Sequence, residues 1–238
     1  MKRLLLVILL AAVAAFGEQN ILEKIDAKMA PSSTETYRKL VNIEPDGSKK
    51  EFLLYQLKKD KDKMVSLFLQ PDSEKGRSTL RLGENMWLYL PDVGKPIRIT
   101  SMQSVTGGVF NNSDIMQVDY AVEYDVVNQR EEAGEIILEL KAKNDTIAYD
   151  KLIMHVDPAS TTPTKIICYT STGMLIKTLY FKDIKEFGGG IVRPAVIETD
   201  SPLYKGYKSI LVIGKMEPKV LADEVFTIEN MGKVQELR

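Results

Sequence analysis

The chain holds one cysteine, one histidine and one tryptophan among 238 residues, and each scarcity removes a class of chemistry. With Cys168 alone, no intramolecular disulfide can form, and no cysteine follows the apolar N-terminal run to carry a lipid anchor. With His155 alone, a His-rich metal site is excluded, and a catalytic triad would lack its usual partners. No G-x-S-x-G, H-E-x-x-H or Gly-rich phosphate loop occurs. Charge of one sign is not in excess either: the net charge is −1, and without Lys2 and Arg3 it becomes −1 − 2 = −3. Such a balance leaves no electrostatic footprint for nucleic acid. Linkers, heptads and tandem repeats are absent, so residues 18–238 read as one domain.

The one long apolar run, Leu4 to Ala15, is shorter than the ~20 residues of a spanning helix. Lys2 and Arg3 precede it and small residues follow it, the order of a cleaved secretory signal over residues 1–17. The mature chain is then expected to begin near Glu18, and a bacterial protein of this kind is expected to be soluble in the periplasm.

What is present is alternation. In "NILEKIDAKMAP" Ile21, Leu22, Ile25 and Met29 share one helical face, with Asn20 and Glu23 as a capping pair and Pro31 as the stop. The period then falls to two. "TYRKLVNIE" puts Tyr37, Val41 and Ile43 on one side, and "AGEIILELKAK" separates Ile136, Leu138 and Leu140 from Glu135, Glu139 and Lys141. About ten strands joined by tight turns predict an antiparallel meander. The charged block "KKDKDK" at 58–63 reads as a solvated hairpin tip, and Pro194 marks an edge or a bulge. Residues 101–117 are too long and too mixed for a turn, and the tail near Ile228, Met231 and Val234 has helical spacing. A sheet this long must curl, and with helices over its concave side it could enclose an apolar space.

Few residues suggest chemistry. His155 reads as a satisfied strand histidine, Cys168 as a buried small hydrophobe, and Gly188–Gly190 as a hinge or turn. Asp119, Glu123 and Asp125 share strand parity near Asp114 and could take a divalent cation, but the wet face of a strand is the simpler reading. More unusual is apolar material in irregular segments: Met86, Met102, Val109, Phe110, Ile115 and Met116. Methionine suits adaptable binding surfaces, although these residues would also close a core.

The stretch "LFLQPDSEKGRSTLRLGENMWLYLPDVGKPIRIT", residues 67–100, resembles the outer-membrane lipoprotein-sorting proteins of the LolA/LolB-like group. The shared features are Pro71, Lys75-Gly76, the run from Met86 to Pro91, and the basic and apolar residues from Lys95 to Ile99. "VFNNSDIMQVDY" matches at Ser113, Asp114 and Asp119, but Asn112 stands for a glycine and Ile115 for an aromatic; "DEVFTIENM" at 223–231 matches the closing segment. The resemblance implies a mainly β fold: a single curved antiparallel sheet forming an unclosed half-barrel with a few covering helices. It also implies a non-enzymatic, cofactor-free carrier that takes acyl chains of lipoproteins, or phospholipid or fatty acid, across the periplasm. Its partners would be an inner-membrane exporter complex and an outer-membrane acceptor, and it would act as a monomer without nucleic acid or metal.

Under that reading Trp87, Tyr89, Ile97 and Ile99 are expected to form one cavity wall. Phe110 and Met116, with Ile21 and Ile25, would be the lid, and Lys95 or Arg98 would meet a headgroup or partner at the rim. Two alternatives are a non-carrier partner subunit of an inner-membrane lipid exporter and a metal-assisted lipid hydrolase built on Asp114, Asp119 and Glu123.

Overall fold

The computed structural model describes residues 20–237. The signal segment read at 1–17 lies outside them. Helix α1 (Ile21–Met29) opens the described chain, capped by Asn20, whose side chain accepts from Leu22 N at 3.0 Å. Six strands follow: β1 (Thr34–Ile43), β2 (Lys49–Lys59), β3 (Lys63–Gln70), β4 (Ser78–Leu82), β5 (Asn85–Tyr89) and β6 (Pro96–Ile99). Two single-turn helices, α2 (Asn112–Ile115) and α3 (Tyr120–Glu123), interrupt the strands. The second series is β7 (Tyr124–Glu132), β8 (Glu135–Ala142), β9 (Lys151–Asp157), β10 (Thr162–Tyr169), β11 (Leu175–Phe187), β12 (Ile191–Asp200) and β13 (Lys208–Pro218).

All 13 strands form one sheet in the order β6-β5-β4-β3-β2-β1-β13-β12-β11-β10-β9-β8-β7. Every pairing is antiparallel, so two meanders meet where β1 lies beside β13. The sheet is not closed: β6 and β7 are its two edges. It curls nonetheless. Asn144 and Thr146, after β8, donate to the Glu84 carboxylate in the β4–β5 turn at 2.5 and 3.1 Å. Strands near opposite ends of the order thus come within hydrogen-bond reach through side chains.

Curling gives the sheet an inner and an outer face, and each carries an apolar core. The inner core joins α1 to Leu40, Phe52, Leu54 and Phe68 of the first meander and to Leu138, Leu152, Ile166 and Leu179 of the second. The outer core is confined to the first meander. Tyr55, Leu57, Val65, Leu67 and Leu80 are covered there by Leu221, Val225, Phe226, Met231 and Val234 of the C-terminal segment. That segment is two stretches of 3-10 helix, Asp223–Phe226 and Ile228–Leu237. Ser78 Oγ donates to Met231 O at 2.8 Å inside this interface, fixing the tail to β4.

Several sequence expectations meet this architecture directly. Tyr37, Val41 and Ile43 do share a face, but it is the outer one; Thr36, Arg38, Leu40 and Asn42 point inward and are buried. Cys168 is fully buried and His155 Nδ1 lies 2.9 Å from Glu135 Oε2, a satisfied strand histidine. Gly188–Gly190 turns β11 into β12, and a Cβ at Gly188 would stand 2.8 Å from Glu217 Cβ, so the turn packs against β13. Pro194 pairs with Ile184 of β11, but β12 pairs with β13 only over Val196–Thr199. Proline therefore occupies a local edge inside the sheet, where its missing N–H costs no ladder bond.

Two expectations are corrected. The block 58–63 is a hairpin turn at its centre, yet Lys58 is 4 % exposed and points inward. Residues 120–123, read as strand, are the helix α3, because Asp26 on α1 accepts from the backbone N–H groups of Tyr120 and Ala121 at 2.7 and 2.9 Å. A carboxylate at those two donors holds a helical first turn that alternation in "DYAVEYD" does not disclose.

Candidate functional site: a lidded inner face

Residues 100–123 cross the inner face from β6 to β7 and close it. Their backbone is fastened at several points. Asn42 Nδ2 donates to Thr106 Oγ1, Ser209 Oγ accepts from Val109 N at 2.9 Å, and Gln56 Nε2 donates to Ile115 O at 3.0 Å. The donors and acceptors on the sheet all come from the inward parity of β1, β2 and β13, so the pleat alone aims them at the segment.

Three acidic residues of this lid each meet a base from the sheet. Asp114 Oδ2 lies 2.8 Å from Lys177 Nζ, with both side chains 3 % exposed. Glu123 pairs with Arg81, whose guanidinium also donates to Gly83 O and Met116 O. Asp119 Oδ1 is 2.9 Å from Lys58 Nζ, whose ammonium also donates to Ala30 O and Asp60 O. Asp119 and Glu123, read as part of a wet strand face, are instead buried fasteners of the lid, whereas Asp125 on β7 is exposed as that reading expected. Among the described residues, no group of three or more His, Cys, Asp and Glu side chains is placed to hold a metal ion.

Asp26 is a further buried carboxyl beside the lid. Burial pushes it from the usual 3.8 to about 7, against the opposing pull of the Ala121 and Tyr120 N–H groups. Because this pKa is higher in the folded chain than in the unfolded one, the native state binds more protons between the two values. The group's stabilising contribution is therefore full below the unfolded pKa and is lost as pH rises through about 7, with a slope of at most ~1.4 kcal/mol per pH unit. Asp26→Asn is expected to remove that slope. Urea unfolding at about pH 5 and about pH 7.5 checks it: the difference between the two should shrink in the variant.

Beneath the lid a cavity of ≈ 40 Å³ remains. Its apolar lining includes Met29, Met64, Phe110, Leu179, Phe181 and Met216. A narrower space of ≈ 10 Å³ continues past Asp114, Gln117, Tyr120 and Leu179 toward Cys168. Such volumes hold water-sized molecules, not an extended acyl chain. Side chains of the lid itself, Phe110, Ile115, Tyr120 and Tyr124, occupy the rest of the interior.

Two arginines also line this cavity. Arg38 on β1 and Arg193 on β12 are 7 % and 3 % exposed, and neither makes an ion pair among the described residues. Arg38 Nε is buried without a hydrogen-bond partner, and among the described residues the one side-chain hydrogen bond of Arg193 is a long one, Nε to Pro194 O at 3.4 Å. Burial lowers both guanidinium pKa values, Arg38 to about 10 and Arg193 to about 9, the latter also through repulsion from Arg38.

The residues expected at the site divide sharply. Phe110 lines the cavity; Ile25 is buried in the inner core, with Ile21 packed on it. Met116 and Ile99 join Met64 and Met86 in a small cluster beside the cavity. The expected wall is not one wall. Trp87 pairs with Arg98 and Leu80, and with Tyr89 it packs on the outer core beneath the C-terminal tail. Gly232 lies so close to the Tyr89 ring that a Cβ there would be 3.1 Å from it. Ile97 has the inward parity of Ile99 but is exposed on the edge strand. Lys95 and Arg98 are exposed and do not line the cavity; Arg98 bonds Asn85 instead. Arg38 and Arg193 went unnoticed in the sequence. The available signal was a lone arginine inside apolar alternation, in "TYRKLV" and again in "IVRPAVIE".

A family model described as like an uncharacterized protein matches residues 60–233. No curated protein gives a significant sequence match. Among solved structures, a LolA superfamily protein from Nitrosomonas europaea superposes with a TM-score of 0.78 at 27 % identity, covering 88 % of this chain and 96 % of that one. A domain described as that of an outer membrane lipoprotein-sorting protein from Vibrio parahaemolyticus gives 0.73 at 19 % identity, covering 89 % and 97 %. A DUF1329 family protein from Desulfovibrio piger gives 0.75 at 19 % identity, covering 89 % and 96 %. A curled, unclosed antiparallel sheet with a lid over its inner face is thus a LolA-like fold. The chain belongs to the family whose model matches residues 60–233, and its fold is similar to that of the LolA superfamily protein.

Proposed function

We propose that the protein is a periplasmic carrier that shields the acyl chains of a lipid or lipoprotein between the inner face of its sheet and the lid at 100–123. The observation that supports this most is the lid: it inserts Phe110, Ile115 and Met116 among the apolar side chains of the curled sheet's inner face, where cargo can replace side chain for methylene. Each CH₂ moved from water to such an interior gains ~0.8 kcal/mol, so one chain offsets the displacement of a few lid side chains. With ≈ 40 Å³ free beneath the lid, the described arrangement is the closed one under this reading, and loading requires Phe110 and its neighbours to move out. Delivery from an inner-membrane exporter and release to an outer-membrane acceptor follow from that role, as does export by a cleaved signal over residues 1–17. Catalysis has no part in it, since burial and release leave the cargo's bonds intact.

A filled interior held by three buried ion pairs favours one second reading, a partner subunit of a lipid exporter that never carries cargo itself. Native mass spectrometry of the full chain purified gently from its host separates the two. A carrier arrives with lipid of discrete added mass that an added amphiphile displaces. A chain that stays bare, and takes up no amphiphile in excess, overturns the carrier reading. Trp87 emission is not the reporter for this test, since the ring lies on the outer face under the tail.

A further inference from the structure

We propose that Arg38 and Arg193 form an internal oxyanion site, so that the cargo is an amphiphile whose carboxylate or phosphate head sits between them while its alkyl part lies against Phe110, Leu179, Phe181 and Met216. The proposal rests on carriage as proposed above and narrows it to a chemical class.

Two guanidiniums inside one small cavity are costly. Each cation taken from water into a protein interior loses several kcal/mol of solvation, and two of the same sign repel. The rest of this interior shows how the chain treats a buried base when it serves the fold. Lys177, Arg81 and Lys58 each face a lid carboxylate. Arg38 and Arg193 have no such partner among the described residues, although both are more than nine-tenths buried and both line the cavity.

Their placement is built, not incidental. Arg38 follows the irregularity between Tyr37 and Arg38 in the β1–β13 pairing, opposite Ile213. Arg193 precedes Pro194 on the part of β12 that has no ladder to β13, whose pairing begins only at Val196. Arg193 thus lies in a stretch where β12 and β13 part, and Arg38 sits opposite Ile213, the first β13 residue past their ladder. Apart from Lys58, whose ammonium meets Asp119, the cavity's other polar side chains, Thr34, Thr36, Gln56, Gln117 and Tyr120, are neutral, and the one carboxylate in its lining, Asp114, is committed to Lys177, Tyr149 and Asn111 N. A planar carboxylate or a phosphate accepts from two guanidinium forks, which neither a hydroxyl nor a cationic head can do.

This differs from the rim site expected at Lys95 and Arg98, where a head would stay in water and add little. Inside the cavity each charge-assisted hydrogen bond contributes enough for a tenfold or larger preference.

The test is titration of the full chain, freed of lipid, with palmitate, hexadecyl phosphate, hexadecanol and hexadecyltrimethylammonium, read by calorimetry and native mass spectrometry. Palmitate or hexadecyl phosphate is expected to bind at least ~10-fold tighter than hexadecanol, with the ammonium compound weakest. The tighter of the two anions identifies the head. Arg193→Met is expected to erase the preference for the anion while hexadecanol binding stays within ~3-fold, and to raise the unfolding midpoint of the lipid-free protein, because an uncompensated charge has gone. Arg38→Gln is the second variant, with the same loss of preference. Equal binding of hexadecanol and both anions overturns the oxyanion site and leaves carriage standing. Failure of all four to bind overturns carriage itself. A fall in the lipid-free midpoint of Arg193→Met marks the guanidinium as structurally satisfied and overturns the site.

Discussion

Asp114→Ala is expected to destabilise the protein by ~3–5 kcal/mol, the range for stranding one member of a buried ion pair. The reason lies in how much converges on that carboxylate. Oδ2 faces Lys177 Nζ at 2.8 Å and accepts from Asn111 N at 2.9 Å, while Oδ1 accepts from the Tyr149 hydroxyl at 2.7 Å. Alanine leaves the Lys177 ammonium with Val109 O and the face of Tyr149 alone, inside a region 3 % exposed. It also removes the reciprocal cap of α2, in which Asn111 and Asp114 satisfy each other's backbone. Asp114→Asn keeps an acceptor but not the charge, and should cost less, since charge-assisted bonds are about twice as strong as neutral ones. The paired variant Asp114→Ala with Lys177→Met should recover part of the loss, because the stranded cation is then gone. Urea unfolding followed by circular dichroism measures all three. A loss below ~1 kcal/mol for Asp114→Ala would mean that the lid does not sit closed in solution.

Phe110→Ala is the second large effect, and here stability and cargo uptake should move in opposite directions. The ring is 1 % exposed, lines the cavity and belongs to the inner core, so its loss is expected to cost ~3–5 kcal/mol. The backbone around it is held by Val109 N to Ser209 Oγ and by Val105 N to Phe110 O at 3.1 Å, which keeps the lid from collapsing into the gap. The ≈ 40 Å³ space therefore grows where cargo is proposed to enter. An amphiphile of the preferred charge is expected to bind ~10-fold tighter to the variant, because no ring has to leave first. Unfolding gives the stability and calorimetry gives the affinity. Lower stability with unchanged binding would show that Phe110 is core only and that cargo lodges elsewhere.

Much of the fold was legible in the sequence because the signals are local. Period-two alternation in "EIILELK" specifies a pleat with one apolar face, and Asn20 before "ILEKI" specifies a helix start, whatever surrounds them. The candidate site was legible only in part. Phe110 and Met116 stood out as apolar residues in an irregular segment, and both lie under or beside the cavity. Trp87 did not resolve, since alternation says that Trp87 and Tyr89 share a face and nothing about which one. The lid carboxylates were read as solvated because a residue's partner is invisible until the chain returns: Lys177 lies 63 residues from Asp114.

The sequence by itself determined an antiparallel sheet, the inward or outward grouping of residues along each strand, the helix at 21–29 and the inert burial of Cys168. Only the tertiary structure decided which apolar face is the interior. This sheet has two, one covered by residues 100–123 and the other by the C-terminal tail, and the pleat repeats identically whichever cover docks on it. Burial of charge was decided at the same level. Lys58, Arg81 and Lys177 are compensated because the lid brings carboxylates to them, while Arg38 and Arg193 lie where no carboxylate of the described chain arrives. Desolvation depends on what packs above a residue, and that is a long-range property no window of sequence contains.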